Sequence, residues 1–378
     1  MERERPVRVT WVAGSLIVAI AILIALFLAR LIMSGGGGGI GSMTATTAET
    51  GHKVMPMGDG MIYYDGGTLH ALDEKGRQIW SYPAGSLASF SVGEGGVATW
   101  RGSMLSLLSI QTGELLSSTN ADSPIIEAKL GRAYAAVQVE SGKNEGRALS
   151  PAQREHNTDV LLLDPGGRQV ERLEMQSRTI LDFGFFRADQ LFWTMALSTQ
   201  GTEPICLISS YRPGRMMNGF FHDAEQVTYK ALFQSSKIRT VGLTYIKDFD
   251  YRGKEYQNNR MLVYGWRMVD VDTEEDEPTM AFAPVGQADG TAGITDVRLI
   301  RGQEDRRIRL PQAAKSVHVK QGTLYAFSTD RVTLFRPGEA EPVAYALPMQ
   351  IDSVIGLTGG NAAIVTRGNV VFLMQLTA

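Results

Sequence analysis

The sequence predicts an all-β chain, a β-propeller of about seven blades with six to eight allowed by the repeat length, preceded by one transmembrane helix. Three observations predict it. An apolar run from Trp11 to Ala29 stands near the N-terminus, a strand-turn-strand phrase recurs along the rest, and helical periodicity nearly vanishes after Met33.

The first element is the apolar run. A helix rises about 1.5 Å per residue, so roughly 20 apolar residues cross the hydrocarbon core of a bilayer. Leu31, Ile32 and Met33 extend the run past Arg30, whose long side chain can snorkel to the headgroups while Trp11 sits at the opposite interface. Arg3, Arg5 and Arg8 precede the helix and only Arg30 flanks it closely behind, which orients the tail toward the cytoplasm. A cleaved signal peptide is the alternative, but its apolar core is typically about 7–15 residues and no clean Ala-x-Ala site follows here. A lipidated anchor needs a cysteine just after the run, and the one cysteine is Cys206. The expected layout is a cytoplasmic tail at residues 1–10, a signal anchor at 11–33, a Gly/Ser/Thr-rich linker at 34–50 and an extracytoplasmic propeller-like domain at 51–378.

Composition narrows the rest. A single cysteine excludes an intramolecular disulfide, and a net charge of -3 offers no general attraction to nucleic acid. Cys206, within Pro-Ile-Cys-Leu-Ile, is expected as a buried strand residue.

The repeat is clearest from Tyr63 to Trp80: a strand, a Gly turn, a second strand, a polar Gly turn and a third strand. Leu72-Asp73-Glu74-Lys75-Gly76-Arg77-Gln78-Ile79 is echoed by Leu163-Asp164-Pro165-Gly166-Gly167-Arg168-Gln169-Val170, and Gly67-Thr68-Leu69-His70-Ala71-Leu72 by Gly322-Thr323-Leu324-Tyr325-Ala326-Phe327. Looser copies run from Trp100 to Leu115 and from Thr366 to Phe372. Asp-Gly and Gly-Gly supply the positive φ angles of tight hairpins, and blades typically take roughly 40 to 50 residues each. Strands near Ile351–Leu357, Asn361–Thr366 and Val370–Leu376 form most of a last blade, which the segment Thr44–Met55 can complete, removing an exposed edge.

The phrase Gly-Thr-Leu-His-Ala-Leu-Asp-x-x-Gly-x-x-x-Trp, from Gly67 to Trp80, resembles the repeat of quinoprotein-type, or PQQ-like, β-propellers, and the pattern is WD40-like in its blade length. The match covers Tyr63–Trp80 well and fades elsewhere: Trp80 becomes Ser117 or Glu171 in later copies, and the blade from Ala128 to Leu173 carries a polar insertion near Ser141–Asn157. Anchor, linker and degenerate propeller together resemble a family of membrane-anchored propeller-like proteins of Gram-positive clostridia, to which no activity is assigned. Quinoprotein dehydrogenases use an adjacent-cysteine disulfide, a tryptophan platform and a calcium site, and the cysteine pair is impossible here. No quinone or other cofactor is therefore expected, and Trp80, Trp100, Trp193 and Trp266 are expected as packing aromatics.

Gly36, Gly38 and Gly41 satisfy Gly-x-Gly-x-x-Gly, but a dinucleotide fingerprint must follow a strand and open a helix, so they are read as spacer. The acidic stretch Asp270–Glu277 lacks the EF-hand pattern, with Glu275 at the place of the turn glycine and Ala281 at that of the bidentate glutamate, and is expected as a solvated loop. His52, His70, His156, His222 and His318 are scattered without zinc spacing. Arg298, Arg301, Arg306, Arg307 and Arg309 alternate with Glu304 and Asp305, as a solvated hairpin would. No catalytic, cofactor or metal residue is assigned. The functional expectation is a non-catalytic scaffold or binding module for an envelope protein or cell-wall polymer, acting through loops such as Ser141–Asn157 and Asp270–Pro278. An extracytoplasmic enzyme or a small-ligand sensor with a site in the central funnel is the alternative.

Overall fold

The computed structural model describes residues 41–376 apart from 142–157, 176–177, 187–190, 199–204, 216, 235–236, 290 and 340. The expected anchor at 11–33, the tail before it and the polar insertion after Ser141 lie outside the described residues. No helix among the described residues is long and apolar enough to cross a membrane.

Eight four-stranded antiparallel sheets follow one another along the chain, each a simple meander in sequence order, as the blades of a propeller. The count is one above the central expectation of seven and inside its range; the blades lie near the short end of the repeat length, at about 40 residues. Blade 1 comprises Lys53–Met57, Gly60–Tyr64, Thr68–Leu72 and Gln78–Pro83; the next six follow from Ser89, Ile125, Arg178, Thr228, Trp266 and Ser316. Blade 8 is shared between the chain ends: Ser353–Leu357, Ala362–Arg367 and Val370–Gln375 take Met43–Glu49 as their fourth strand. Met43 pairs with Met374 and Ala45 with Phe372, so the ring closes by hydrogen bonds between residues more than three hundred positions apart. The linker expected at 34–50 therefore gives way to the fold from Met43 onward, and the completing segment stops at Glu49 rather than Met55.

Burial follows position in the blade. Second strands such as Gly96–Arg101, Ala135–Glu140 and Ala362–Arg367 are apolar and buried almost throughout, because neighbouring blades cover both of their faces. Fourth strands such as Leu115–Asn120 and Gln169–Glu174 form the rim and stay largely exposed. The core is consequently not one central cluster but a series between blades. Leu105 and Leu107 of blade 2 pack with Ala135, Val137 and Leu161 of blade 3, and Met61 and Leu72 of blade 1 pack with Ile364 and Leu373 of blade 8.

The repeated phrase has a local cause. Asp73 Oδ1 accepts the amides of Lys75 and Arg77, both at 2.9 Å, and its Oδ2 accepts Arg77 Nε at 2.8 Å. Asp164 does the same with Gly166 and Arg168, so both copies are turns between the third and fourth strands of a blade. A third copy, Asp250-Tyr-Arg-Gly-Lys254, makes the same backbone bonds in blade 5. The Gly322–Phe327 echo of Gly67–Leu72 is out of frame: Thr323–Phe327 is a second strand, whereas Thr68–Leu72 is a third. Any Gly turn followed by an alternating strand produces that likeness.

The glycine in these turns also makes contact outward. Gly76, Gly113, Gly167, Gly214 and Gly253 all hold positive φ, and each faces the fourth strand of the preceding blade. Their neighbours are Thr44, Trp80, Thr119, Val170 and Phe221 in turn. Trp80 is buried on Gly113, where a Cβ would lie 2.5 Å from Trp80 Cδ2, and its Nε1 donates to Ile110 O at 3.1 Å. Register supports the substitutions seen in sequence, since Trp80, Ser117 and Glu171 each directly follow the extra residue of equivalent bulges.

Gly113→Ala is expected to cost about 3 kcal/mol, combining a positive φ with a collision against a ring that has nowhere to move. Gly102→Ala, where φ is +58° but nothing lies within 4 Å, should cost only about 1 kcal/mol. Comparing the two variants by urea or thermal unfolding separates backbone strain from packing.

Candidate functional site

Because each blade is a four-strand meander, all first strands run in one direction around the axis. The chain enters through Met43 at the face carrying the first-to-second and third-to-fourth turns, and leaves that same face at Gln375, whose amide donates to Ser42 O at 3.2 Å. We call this the entry face. The opposite, far face carries the blade-to-blade connectors and the second-to-third turns.

The first strands enclose an axial cavity of about 1180 Å³. Three lysines line it: Lys53 of blade 1, Lys129 of blade 3 and Lys230 of blade 5. Asp182, on the first strand of blade 4, lies 2.6 Å from Lys129 and 3.5 Å from Lys230, and Glu127 lies 3.3 Å from Lys129. Lys53 Nζ instead donates to Phe90 O at 2.5 Å and sits over the rings of Phe90 and Trp100, 4.8 and 5.9 Å from their centroids. Burial lowers the Lys53 pKa, and the charge of Glu127 opposes this. The entry-face mouth carries Glu94, Arg132, Glu274, Glu275 and Gln321.

Blade 5 carries a second concentration of charge. Arg239 and Asp248 are opposite one another on its second and third strands, both buried, joined by Nε to Oδ1 at 2.7 Å and Nη2 to Oδ2 at 2.9 Å. Arg239 Nη1 and Lys237 Nζ both donate to Glu277 in blade 6, at 2.5 and 2.9 Å. Burial pushes the Asp248 carboxyl up, but the Arg239 guanidinium and Lys237 override it and hold it below the usual carboxylate range. Across the sheet, buried Lys247 donates to Asp223 and Glu225, each at 2.8 Å, on the connector from blade 4. Its sequence signal is charge inside strand phrases, Ile238-Arg239-Thr240 and Ile246-Lys247-Asp248.

The acidic stretch is therefore not a free loop. Asp270 and Asp272 belong to the strand Trp266–Asp272 and accept the Val319 and Gln321 amides of blade 7, while Glu277 is held by blade 5. Only the turn between them is solvated. The arginine hairpin needs a like correction, since Arg298 is buried and bidentate to Asp305 at 2.7 and 2.6 Å; Arg306, Arg307 and Arg309 are exposed as expected.

The histidines do not converge. His70 sits between Asp65 and Gln78 at 2.9 and 3.0 Å and stacks on Tyr63, which also carries His52. His318 lies 3.4 Å from Asp270, His222 ends a rim strand, and His156 falls outside the described residues. No group of three potential metal ligands occurs among the described residues. Cys206 lies half-buried in the strand Ile205–Tyr211, its thiol pushed up to about 11 by burial. Trp80, Trp100 and Trp193 are buried between blades and Trp266 is half-buried, as packing aromatics. Gly36 and Gly38 lie outside the described residues; Gly41 opens them.

One surface feature was not anticipated. Val227, Leu243, Tyr264 and Val285 are 61% to 76% exposed, and all four stand on far-face loops of blades 5 and 6. Hydrogen bonds connect those loops: Gln226 to Thr244 and Tyr245, Val263 N to Thr244 O at 2.7 Å, and Val285 N to Gly265 O at 3.0 Å. The four side chains thus form one apolar strip. Scattered single apolar residues in loops give no sequence signal until the fold gathers them.

No family model matches the sequence, and no curated protein matches it. Solved structures do. BamB from Moraxella catarrhalis is 12% identical with TM-score 0.50, covering 88% of this chain and 100% of its own. Apo AztD from Citrobacter koseri is 10% identical with TM-score 0.51, over 79% and 87%. Sqt1 from Saccharomyces cerevisiae is 10% identical with TM-score 0.52, over 89% and 97%. At such identities the likeness establishes a β-propeller repeat protein and nothing finer.

The buried pair gives a testable consequence. The Asp248 pKa is lower folded than unfolded, so its stabilisation is present above the unfolded value near about 4 and is lost as pH falls through the folded one. The thermal midpoint should therefore decline as pH drops below about 4. Asp248→Asn should remove that part of the decline and cost about 3 kcal/mol at neutral pH by leaving Arg239 under-compensated; adding Arg239→Met should restore much of the loss.

Proposed function

We propose that this chain is a single-pass membrane protein whose propeller lies outside the cytoplasm and acts as a non-catalytic binding module for an envelope protein. The observation that carries the reading is the far-face apolar strip, Val227, Leu243, Tyr264 and Val285, on the side opposite chain entry. An anchor formed by Trp11–Ala29 would join the entry face through the residues before Met43, leaving the strip turned from the bilayer. Confinement at the membrane raises the effective concentration of such a module for membrane partners. The Gly67–Trp80 phrase supports a degenerate PQQ-like repeat put to structural use: its Asp makes a turn and its Trp a blade contact, and neither faces the axis. A cell-wall polymer is a less suitable occupant of the strip, because sugars and polyol phosphates would demand polar partners there.

The test is in-cell crosslinking and mass spectrometry of the tagged full-length protein against an anchor-only control ending near Gly41, with a Tyr264→Asp/Val285→Asp double variant alongside. A partner lost in the control and reduced several-fold by the double variant supports the reading. A partner unaffected by the double variant removes the strip from it, and recovery of nothing beyond the control ends the scaffold reading.

A further inference from the structure

We propose that the axial cavity is a binding site for a small organic anion with an aromatic body, held by Lys53. This goes beyond the protein-docking role and does not depend on it. Lys129 and Lys230 are occupied, sharing Asp182, with Glu127 also beside Lys129. Lys53 has no carboxylate within ion-pair distance among the described residues, and Phe90 O takes only one of its three N–H donors.

Other lysines of the fold show what a structural role looks like. Lys247 is buried between two carboxylates, and Lys320 is buried against the carbonyls of Thr358 and Gly360. Lys53 matches neither, since it remains reachable in the cavity. Its surroundings suit a ligand that is both charged and flat: the rings of Phe90 and Trp100 lie beside the ammonium, with Met55 and Val92 lining the same cavity. The volume exceeds that of a drug-sized ligand site, leaving room for bridging water.

Charge also gives the cavity a direction. At the entry-face mouth Glu94 pairs with Arg132 at 2.7 Å and Glu275 with Arg301, which leaves the Glu274 carboxylate to oppose an approaching anion. Lys53 is the first residue of its strand and stands toward the far face, so an anion arrives from that side.

Pyridoxal 5′-phosphate, an anionic aromatic aldehyde, is a suitable probe. A neutral lysine amine adds to its carbonyl and water leaves to give an imine; borohydride delivers hydride to the imine carbon and fixes a secondary amine. Full-length protein in detergent is treated at limiting probe and its labelled lysines located by peptide mass spectrometry. Lys53 should label at least about tenfold more than exposed Lys75, and pyridoxine 5′-phosphate, which lacks the aldehyde, should suppress labelling at Lys53 alone. In equilibrium titration of pyridoxine 5′-phosphate, Lys53→Glu should weaken binding more than about tenfold while Lys53→Arg retains it. Tyr264→Asp/Val285→Asp should change neither readout, which separates this site from the docking strip. Labelling spread over exposed lysines without competition, or a Lys53→Glu variant with an unchanged melting temperature that binds as the parent does, overturns the proposal.

Discussion

In blades 1 to 5 the contact between a turn glycine and the fourth strand of the blade before it is the constraint on which blade spacing depends. A four-stranded sheet cannot bury both of its faces alone, and a two-sided apolar sheet is stable only when another blade covers each side. The glycine decides how closely that neighbour comes. A positive φ turns the chain back tightly at Gly76, Gly113, Gly167, Gly214 and Gly253, and the missing Cβ leaves the space that Thr44, Trp80, Thr119, Val170 and Phe221 fill. Since Thr44 belongs to the closing strand, the same contact that spaces the blades also seats the first turn against the last blade. Closure is then one more instance of a local rule.

This explains which parts of the fold were legible. Asp73-x-x-Gly76 and Asp164-x-x-Gly167 recur because three hydrogen bonds to one carboxylate and one left-handed residue are needed at that turn, and few other sequences supply them. Trp80 was legible because a large ring against a glycine is conspicuous; Ser117 and Glu171 answer the same geometry with less volume and look unrelated. Blade 5 is illegible in sequence for a different reason. Its turn Asp250–Lys254 is followed by a long connection and a fourth strand of only Met261–Leu262, so its repeat has no visible end. The expectation of seven blades divides the chain by a repeat of roughly 40 to 50 residues, and the eight present lie at the short end of that range.

The charged residues show where sequence reasoning stops. Arg239 and Asp248 can be recognised as charges in strand phrases, yet Glu277, which completes their arrangement, lies 38 residues from Arg239 and in a segment whose composition suggested only solvation. An acidic run is ambiguous because its members can face different ways. Here Asp270 and Asp272 face blade 7 while Glu277 faces blade 5, and the run serves as a clasp between three blades. Buried pairs of this kind contribute little net stability compared with apolar packing but punish any loss of one partner, which favours a single blade register.

The two faces of the ring differ as a consequence of one topological fact. A strand borrowed from the N-terminus completes the last blade, so both described chain ends fall on the entry face. That face also bears the Asp73 and Asp164 turns and a cavity mouth whose Glu94 and Glu275 are paired with Arg132 and Arg301. The far face also ties blades together, since its connector from blade 4 holds Lys247 of blade 5 through Asp223 and Glu225. Its loops also carry Val227, Leu243, Tyr264 and Val285, apolar side chains that remain largely exposed. Exposure of that kind, next to an axial opening where Lys53 lacks a carboxylate, distinguishes the far face from the entry face, which bears both described chain ends.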